Sequence, residues 1–287
     1  MKVLVTGASG FIGSALIKQL SNVADVELTG ISRNTPTISA KSLNIKWLQG
    51  DLADKSFVEF LSKKEFDKVF HLAWQGLPDR STEYCQLNLK ISKDFLAGIT
   101  KIRKVELNVL GSCLEYGNTT GVVQDHTSPI GNDDFSKAKI ELHSFVRSLG
   151  SKYRWYRPFY VYGKGQNPRS LMPTILKGIE SRMGVEIRSL NNSHDFIAVE
   201  DVANAIYASS SVDEVEGEIN IGTGVLTCVG EIVQALHSEY KMSFNQTYSS
   251  NPGLYADSIV LRRDISWSPS YSGLAGILDY YRRAKNQ

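Results

Sequence analysis

Residues 3–13 read VLVTGASGFIG, an apolar run followed by glycines at positions 7, 10 and 13. The apolar run predicts a strand, and apolar residues at positions 11, 12, 15, 16 and 20 have the spacing of a helix. A strand, a glycine turn and a helix in this order are typical of a dinucleotide site, because glycines let the backbone approach a pyrophosphate and a helix N-terminus offers N–H groups to phosphates. The residues predicted to contact the dinucleotide here are Gly7, Ser9, Gly10, Phe11 and Ile12.

Composition narrows the class of partner. The 287 residues are 42% hydrophobic and 22% charged, which is enough for a full buried core. The 32 basic and 30 acidic residues nearly balance, so a small molecule is expected as partner, rather than a nucleic acid or a membrane. Cys85, Cys113 and Cys228 lack close spacing, which indicates neither a disulfide framework nor a metal site. We expect a cytoplasmic protein without a leader or a membrane span.

Strand-like and helical runs alternate along the first half of the chain. Strands are predicted at residues 3–5, 26–31, 45–48, 69–72 and 105–110, and helical patterns at 56–61 and 87–99. This alternation predicts an α/β fold, a Rossmann-type doubly wound parallel sheet with a smaller, interleaved C-terminal substrate-binding lobe. We expect a dinucleotide-binding domain over residues 1–160, with later strands at about 195–222 returning to it. Residues 161–287 are expected to form mainly the substrate lobe.

The residues after the second predicted strand indicate which cofactor is bound. A carboxylate at this place would hold the ribose hydroxyls of NAD, whereas this chain has Ser32 and Arg33. A hydroxyl and a guanidinium can bind a 2′-phosphate, so the pair favours NADP(H). Asp51 and Leu52 are also predicted at the cofactor. For Asp51 two interpretations are open: it accepts from an adenine amino group, or it caps the following helix. His71 by itself is expected to be a packed core residue.

Seven blocks of the sequence resemble the extended short-chain dehydrogenase/reductases of the nucleotide-sugar type, over nearly the whole chain. The blocks are residues 6–13 (TGASGFIG), 50–52 (GDL), 71–73 (HLA), 111–117 (GSCLEYG), 157–163 (RPFYVYG), 194–203 (HDFIAVEDVA) and 220–224 (NIGTG). The resemblance implies a nicotinamide dinucleotide that also passes Leu72 and Ala73, and a nucleotide-sugar substrate. It also implies a homodimer formed by the two helices near residues 87–99 and 136–149.

The family's catalytic residues map onto three positions, and one of them departs from the motif. Ser112 precedes the Tyr-Gly pair by four residues and would polarise the substrate carbonyl. On the next helix the family has a tyrosine and, four residues later, a lysine; this chain has Phe135 and Lys139. The tyrosine exchanges the proton, and the lysine binds the nicotinamide ribose and lowers the tyrosine pKa. Another register pairs Lys137 with Asp133, but the residues after Lys139 continue the family helix better.

The absent hydroxyl at Phe135 leaves three interpretations open. Loss of a general acid costs about two to four powers of ten in rate, so we expect slow or no turnover unless water or another group supplies the proton. Phe135 is an engineered substitution that keeps the shape, a natural loss that leaves a binding protein, or a sign of another donor. The intact family blocks favour the first. A dinucleotide-binding regulator without turnover would also lack the tyrosine, although the retained Ser112 and Lys139 argue against it.

The block around Ser112 also separates the reactions of the family. Sugar 4,6-dehydratases carry an Asp-Glu pair where this chain has Cys113 and Leu114, so dehydration is disfavoured. Fucose-synthase-like enzymes need a cysteine one position after Cys113. The remaining chemistry is NADPH-dependent reduction of the C4 ketone of a dTDP- or CDP-linked 4-keto-6-deoxyhexose, in deoxysugar and O-antigen biosynthesis. The alternative is a 4-epimerase with tightly bound NAD.

Substrate-binding residues are predicted from the same resemblance. Trp74, Ser112 and Cys113 are expected at the sugar, and the remaining candidates at the substrate are Tyr160, Arg157, Asn167, Arg169 and Arg262. Guanidinium groups match the oxygens of a nucleotide diphosphate. Tyr160 stands where many relatives have asparagine, and His194 where they have arginine. These departures leave the identity of the sugar open.

Overall fold

The computed structural model describes residues 1–34, 44–77, 79–101, 104–182, 187 and 189–285. The chain divides into two compact units. The first comprises Met1–Gly117, Ser128–Arg157 and Ala203–Ile219, and the second comprises Asn118–Thr127, Pro158–Val202 and Asn220–Gln287. The chain thus enters the second unit twice before residue 203, first for the short segment Asn118–Thr127 and again at Pro158.

Twelve strands occur in the described residues. They are β1 Lys2–Thr6, β2 Glu27–Ser32, β3 Lys46–Gln49, β4 Lys68–His71, β5 Glu106–Leu110, β6 Gly121–Gln124, β7 Tyr153–Pro158, β8 Tyr160–Tyr162, β9 Ser193–Ala198, β10 Gly217–Ile221, β11 Leu226–Cys228 and β12 Leu254–Asp257. Seven of them form one sheet in the order β10-β7-β5-β4-β1-β2-β3. β1 runs parallel to both β2 and β4, so the strand order reverses there. Ligands of such sheets bind at this switch point, beyond the carboxyl ends of the strands. The predicted Rossmann-type sheet is confirmed.

Helices cover this sheet and fill the second unit. They are α1 Phe11–Leu20, α2 Lys55–Ser62, α3 Thr82–Thr100, α4 Asp134–Ser148, α5 Leu171–Glu180, α6 Val199–Ser210, α7 Val229–Glu239, α8 Ile259–Ile265 and α9 Gly273–Lys285, with a 3-10 turn at Cys113–Tyr116. None of the helices in the described part of the chain has the length and apolar character that a membrane crossing requires.

Helix α3 begins five residues before the predicted helix at 87–99. Its buried face carries Leu89, Phe95 and Leu96, each of which stabilises the fold by about 1.5–3 kcal/mol when removed from water. The same face also buries the polar residues Asn88 and Ser92, because both make hydrogen bonds to residues of the neighbouring strand end. The prediction omits the first residues of the helix, 82–86 (TEYCQ), because they are mostly polar and show no apolar pattern.

The second unit has its own core and two small sheets, β11-β9-β8 and β12-β6. Of the later strands expected to return to the first domain, β10 joins the seven-stranded sheet, whereas β9 pairs with β8 and β11. Asp195 on β9 is fully buried and accepts hydrogen bonds from the backbone N–H groups of Thr223, Gly224 and Ala256. This carboxylate thus ties the loop after β10 and the strand β12 to β9.

Candidate active site

The turn between β1 and α1 is held in shape by two glycines. Gly7 has a φ of +67°, and a Cβ there would lie 2.8 Å from the backbone nitrogen of Ala73. A Cβ on Gly13 would lie 2.0 Å from the carbonyl oxygen of Gly7. Helix α1 begins after Gly10, and no side chain caps it. Its first-turn N–H groups have no acceptor within the helix, so the turn presents donors and space to an anionic ligand.

An open cleft lies over this turn, within the first unit. Its lining residues are Gly7, Ser9, Gly10, Ile31, Ser32, Arg33, Gly50, Asp51, Leu52, His71, Ala73, Trp74, Gln75, Asn88, Ile91 and Ser92. Nine of the predicted site residues thus come together here. The predicted residues of the same unit that do not line it include Phe11, Ile12, Leu72, Ser112, Cys113, Phe135 and Lys139. The sequence interpretation missed Gln75 and the residues of α3, for which the only signal is the polar positions on that helix's apolar face.

Two side chains that end β2 and begin the next loop face this cleft. The Oγ atoms of Ser32 and Ser9 are 3.0 Å apart, and a guanidinium nitrogen of Arg33 donates to Oε1 of Gln75 at 2.6 Å. Asp51 accepts from the backbone N–H of Ala53 at 2.9 Å. The interpretation of Asp51 as a helix cap is wrong, because Asp54 caps α2 by accepting from the N–H of Ser56.

His71 has both ring nitrogens engaged. Nδ1 is 2.8 Å from Oγ1 of Thr6, and Nε2 is 3.0 Å from Oγ of Ser92. Burial, and then the charge of Lys139, lower the pKa of His71 to about 3. The imidazole is therefore a neutral, buried core residue, as predicted, and its hydrogen bonds fix the carboxyl end of β4.

Phe135 and Lys139 lie on the buried face of α4. The rings of Phe135 and Trp74 meet edge to face, with centroids 5.5 Å apart and an interplanar angle of 82°. Nζ of Lys139 lies 4.0 Å from the centroid of the Trp74 ring and donates to the carbonyl oxygen of Leu110 at 2.8 Å. The other register is wrong, because Asp133 is the N-cap of α4 and Lys137 is exposed. Lys139 is thus brought beside the cleft through its contact with Trp74.

Burial lowers the pKa of Lys139 to about 7, although the charges of Glu115 and Cys85 act in the opposite direction. The side chain is only 5% exposed, so the ammonium has lost most of its hydration. An amine with such a pKa is partly protonated near neutral pH. It can therefore release and take up a proton under ordinary conditions.

Ser112 follows the end of β5 and is the N-cap of the 3-10 turn. Its Oγ accepts from the N–H of Leu114 at 3.2 Å, and its own N–H donates to Oε1 of Glu115 at 2.8 Å. Glu115 is fully buried and also accepts from Nε of Arg157 at 2.7 Å and from the indole of Trp155 at 3.0 Å. The prediction that Arg157 binds a diphosphate is wrong, because its guanidinium is buried in this pair. The sequence interpretation missed Glu115, which anchors the serine.

The other predicted substrate residues are placed as follows. Cys113 is buried in the first unit. Tyr160 and the remaining polar candidates belong to the second unit. The ring of Tyr160 stacks on His194 with centroids 3.7 Å apart. Asn167 accepts from the backbone N–H of Arg169 at 2.9 Å, and Arg262 pairs with Asp257. Their roles at a substrate stay predictions.

Comparison with known proteins gives the family. The model of the NAD dependent epimerase/dehydratase family matches residues 3–222. The chain is 27% identical over 260 residues to dTDP-D-glucose 4,6-dehydratase of Bos taurus, which covers 82% of this chain and 73% of the relative. It is 29% identical over 251 residues to GDP-6-deoxy-D-talose 4-dehydrogenase of Aggregatibacter actinomycetemcomitans, with 82% and 79% covered.

A similar solved structure is MoeE5 in complex with UDP-glucose and NAD, at a TM-score of 0.82 and 25% identity, with 99% of each chain covered. The fold, the glycine turn and the matched family model agree. This chain belongs to the NAD dependent epimerase/dehydratase family of extended short-chain dehydrogenase/reductases.

Proposed function

We propose that this protein reduces the C4 ketone of a nucleotide-linked 4-keto-6-deoxyhexose with NADPH, in deoxysugar or O-antigen biosynthesis. Its relatives carry the names of enzymes that act on dTDP- and GDP-linked sugars, and one of them is a 4-dehydrogenase. The observation that carries the choice of a reductase is the pair Ser32 and Arg33, both of which line the cleft at the end of β2.

The side chains at the end of β2 support the choice of a 2′-phosphate over two ribose hydroxyls. Arg33 presents a guanidinium with five N–H groups, of which one donates to Gln75, and Ser32 adds a hydroxyl. A phosphate would accept from both side chains, and such charge-assisted hydrogen bonds are the stronger kind. A net reductase uses up one reduced cofactor at every turnover, and such enzymes usually draw on NADPH.

The proposed reacting positions are Ser112, Phe135 and Lys139. NADPH supplies a hydride when bound. The Ser112 hydroxyl accepts from Leu114, and its own hydrogen can be donated to a ketone oxygen. Lys139 would hold the nicotinamide ribose. Phe135 has no proton to give, so we expect the chain as it stands to turn over about 10²–10⁴ times more slowly than a tyrosine variant.

Dehydration of the sugar finds no support in the side chains of the turn. The positions of the dehydratase Asp-Glu pair hold Cys113 and Leu114. The neighbouring carboxylate, Glu115, is fully buried and bound to Arg157 and Trp155. It is therefore unavailable as an acid or base for a sugar.

The test compares the protein with its Phe135→Tyr variant. NADPH oxidation is followed with dTDP-, CDP- and GDP-linked 4-keto-6-deoxyhexoses, and Phe145→Tyr on the same helix is the matched control. We expect Phe135→Tyr to be about 10²–10⁴ times faster and Phe145→Tyr to be unchanged. If both proteins fold and bind NADPH but neither oxidises it, the substrate assignment is refuted.

A 4-epimerase with bound NAD is the second candidate, because the similar MoeE5 structure holds NAD and UDP-glucose. Titration of the protein with NADPH and NADH separates the two. Tighter binding of NADH, together with NAD carried through purification, would favour the epimerase over the reductase.

We also propose that the protein is a cytoplasmic homodimer without a nucleic-acid or membrane partner. Helices α3 and α4 contact each other, and α3 leaves Tyr84 and Leu87 about 40% exposed. Light scattering measures the mass directly. A monomer at micromolar concentration would contradict the dimer.

A further inference from the structure

We propose that Lys139 donates the proton in the chain as it stands, in place of a tyrosine at position 135. This inference rests on the proposed reduction of a ketone and adds to it a proton donor for the slow turnover. It assigns to one side chain of α4 both the binding of the cofactor ribose and the protonation of the product oxygen.

The amine lies among groups that position it beside the cleft. Nζ of Lys139 is 2.8 Å from the carbonyl oxygen of Leu110 and 4.0 Å from the ring centroid of Trp74, which lines the cleft. It is 5.9 Å from the centroid of Phe135, which lies one helical turn earlier on the same face. The hydrogen bond to Leu110 uses one of three N–H groups, and two remain for a cofactor and a substrate.

The other titratable groups around the amine are poor donors. His71 is neutral, and both its nitrogens have partners. Glu115 is a carboxylate bound to Arg157. The thiol of Cys85 donates to a backbone carbonyl oxygen, and burial raises its pKa.

The charged groups near Phe135 at the start of α4 do not replace the lysine as proton donor either. The guanidinium of Arg80 lies 5.3 Å from the centroid of the Phe135 ring and 3.8 Å from Asp133. A guanidinium stays protonated at every working pH, so it is not an effective acid. Asp133 caps α4, and Asp134 accepts from the hydroxyl of Thr82.

The electrostatics of the amine suit a proton donor. Burial lowers the pKa of Lys139 to about 7 against the opposing charges of Glu115 and Cys85. Acid catalysis is most effective when the pKa of the donor lies near the working pH. An exposed lysine, with its pKa three to four units higher, would hold its proton too firmly.

The step balances in atoms and electrons. The ketone carbon accepts the hydride of bound NADPH and forms a C–H bond, while the C=O π pair moves to oxygen. The oxygen takes a proton from the Lys139 ammonium and forms the O–H bond. NADPH is oxidised to NADP⁺, the ketone is reduced to the alcohol, and the neutral amine regains its proton from water.

The test uses Lys139→Arg in two backgrounds. Arginine keeps the charge and the N–H donors for a ribose but cannot release a proton at neutral pH. With Phe135 present, we expect Lys139→Arg to lower kcat by about a hundredfold, while the Kd for NADPH changes about threefold or less. With Phe135→Tyr, the same change should lower kcat by less than about tenfold, because tyrosine supplies the proton. Lys137→Arg, an exposed change on the same helix, is the control.

Two further measurements separate a proton donor from a structural residue. In ¹³C-methylated protein without substrate, an NMR signal that is lost in Lys139→Arg should titrate near pH 7. The turnover of the protein with Phe135 should fall as the pH rises through the same value, because the donor must be protonated. In Lys139→Ala, added ethylamine should restore turnover at saturating NADPH.

The outcomes distinguish this inference from the proposed function. Lys139 titrating near its ordinary pKa of about 10.4, or Lys139→Arg as active as its parent, refutes the donor role. Turnover only in Phe135→Tyr also refutes it, while the proposed function stands. Silence of both backgrounds overturns the proposed function and this role with it.

Discussion

Replacing Glu115 by glutamine tests whether the buried ion pair holds the candidate site in place. The carboxylate is fully buried and accepts from Arg157, from the indole of Trp155 and from the N–H of Ser112. Burial opposes the charge on Arg157, but Glu115 and Tyr116 raise its pKa above the usual value, so it stays charged. Glu115→Gln therefore removes the carboxylate that is bonded to this buried guanidinium.

The size of the destabilisation follows from the hydrogen-bond donors that glutamine cannot accept from. Removing one member of a buried ion pair costs about 3–5 kcal/mol. In glutamine an NH₂ group replaces one of two oxygens that both face donors, which leaves at least one buried donor unpaired. We expect a loss of about 4 kcal/mol in the free energy of unfolding. At about 2–4 °C per kcal/mol, the melting temperature should fall by about 10 °C.

The assay is thermal and urea unfolding, followed by circular dichroism, of Glu115→Gln and of Glu141→Gln. Glu141 is 57% exposed and pairs with Lys93 at the surface, so its loss should cost about 0–1 kcal/mol. If Glu115→Gln loses less than about 1 kcal/mol, or no more than Glu141→Gln, the buried pair does not hold the turn and the reasoning fails.

Three further predictions concern the cofactor and the pH dependence of stability. Gly13→Ala places a Cβ 2.0 Å from the carbonyl oxygen of Gly7. Urea unfolding should therefore show a loss of at least about 1–3 kcal/mol in the free energy of unfolding, and fluorescence titration should show a weaker affinity for NADPH. Unchanged values would contradict the close packing of α1. Arg33→Ala should weaken NADPH about tenfold or more and leave NADH unchanged, and equal losses would argue against a 2′-phosphate at this place. The pKa of His71 is about 3 in the folded protein and 6.5 in the unfolded chain. Its contribution to stability is therefore present above pH 6.5. As the pH drops from 6.5 to about 3, the free energy of unfolding falls by up to about 1.4 kcal/mol per pH unit. In urea unfolding at several pH values, His71→Gln should lack this slope, whereas the exposed His126→Gln should keep it.

The sequence predicts the sheet and the glycine turn because both depend on local features. Strand runs and the spacing of glycines are visible over a dozen residues, and the structure places Gly7 and Gly13 where a Cβ would collide with backbone. The predicted helix at 87–99 leaves out the first residues of α3, because residues 82–86 (TEYCQ) are mostly polar, and Asn88 and Ser92 further on are buried for their hydrogen bonds and not for their apolarity. A hydrophobic pattern has no means of identifying such positions.

The electrostatics of the candidate site depend on contacts between residues far apart in sequence. Arg157 has the chemistry of a phosphate ligand, yet 42 residues separate it from Glu115, the carboxylate that occupies its guanidinium. The cap of α2 shows the same limit on a smaller scale, since Asp51 and Asp54 both fit the pattern and only the backbone geometry selects Asp54. A residue type indicates what a side chain can bind, and the fold decides what it does bind.

The buried ion pair and the lysine beside the cleft are parts of one arrangement. A carboxylate next to a buried amine normally raises its pKa, and Glu115 does so for Lys139. Burial is nevertheless the larger effect on this pKa. Glu115→Gln should therefore lower the pKa of Lys139 below about 7 and shift the pH profile of turnover downward. Together with burial, Glu115, which holds Ser112 through its backbone N–H, thus also influences the pH at which Lys139 can give up a proton.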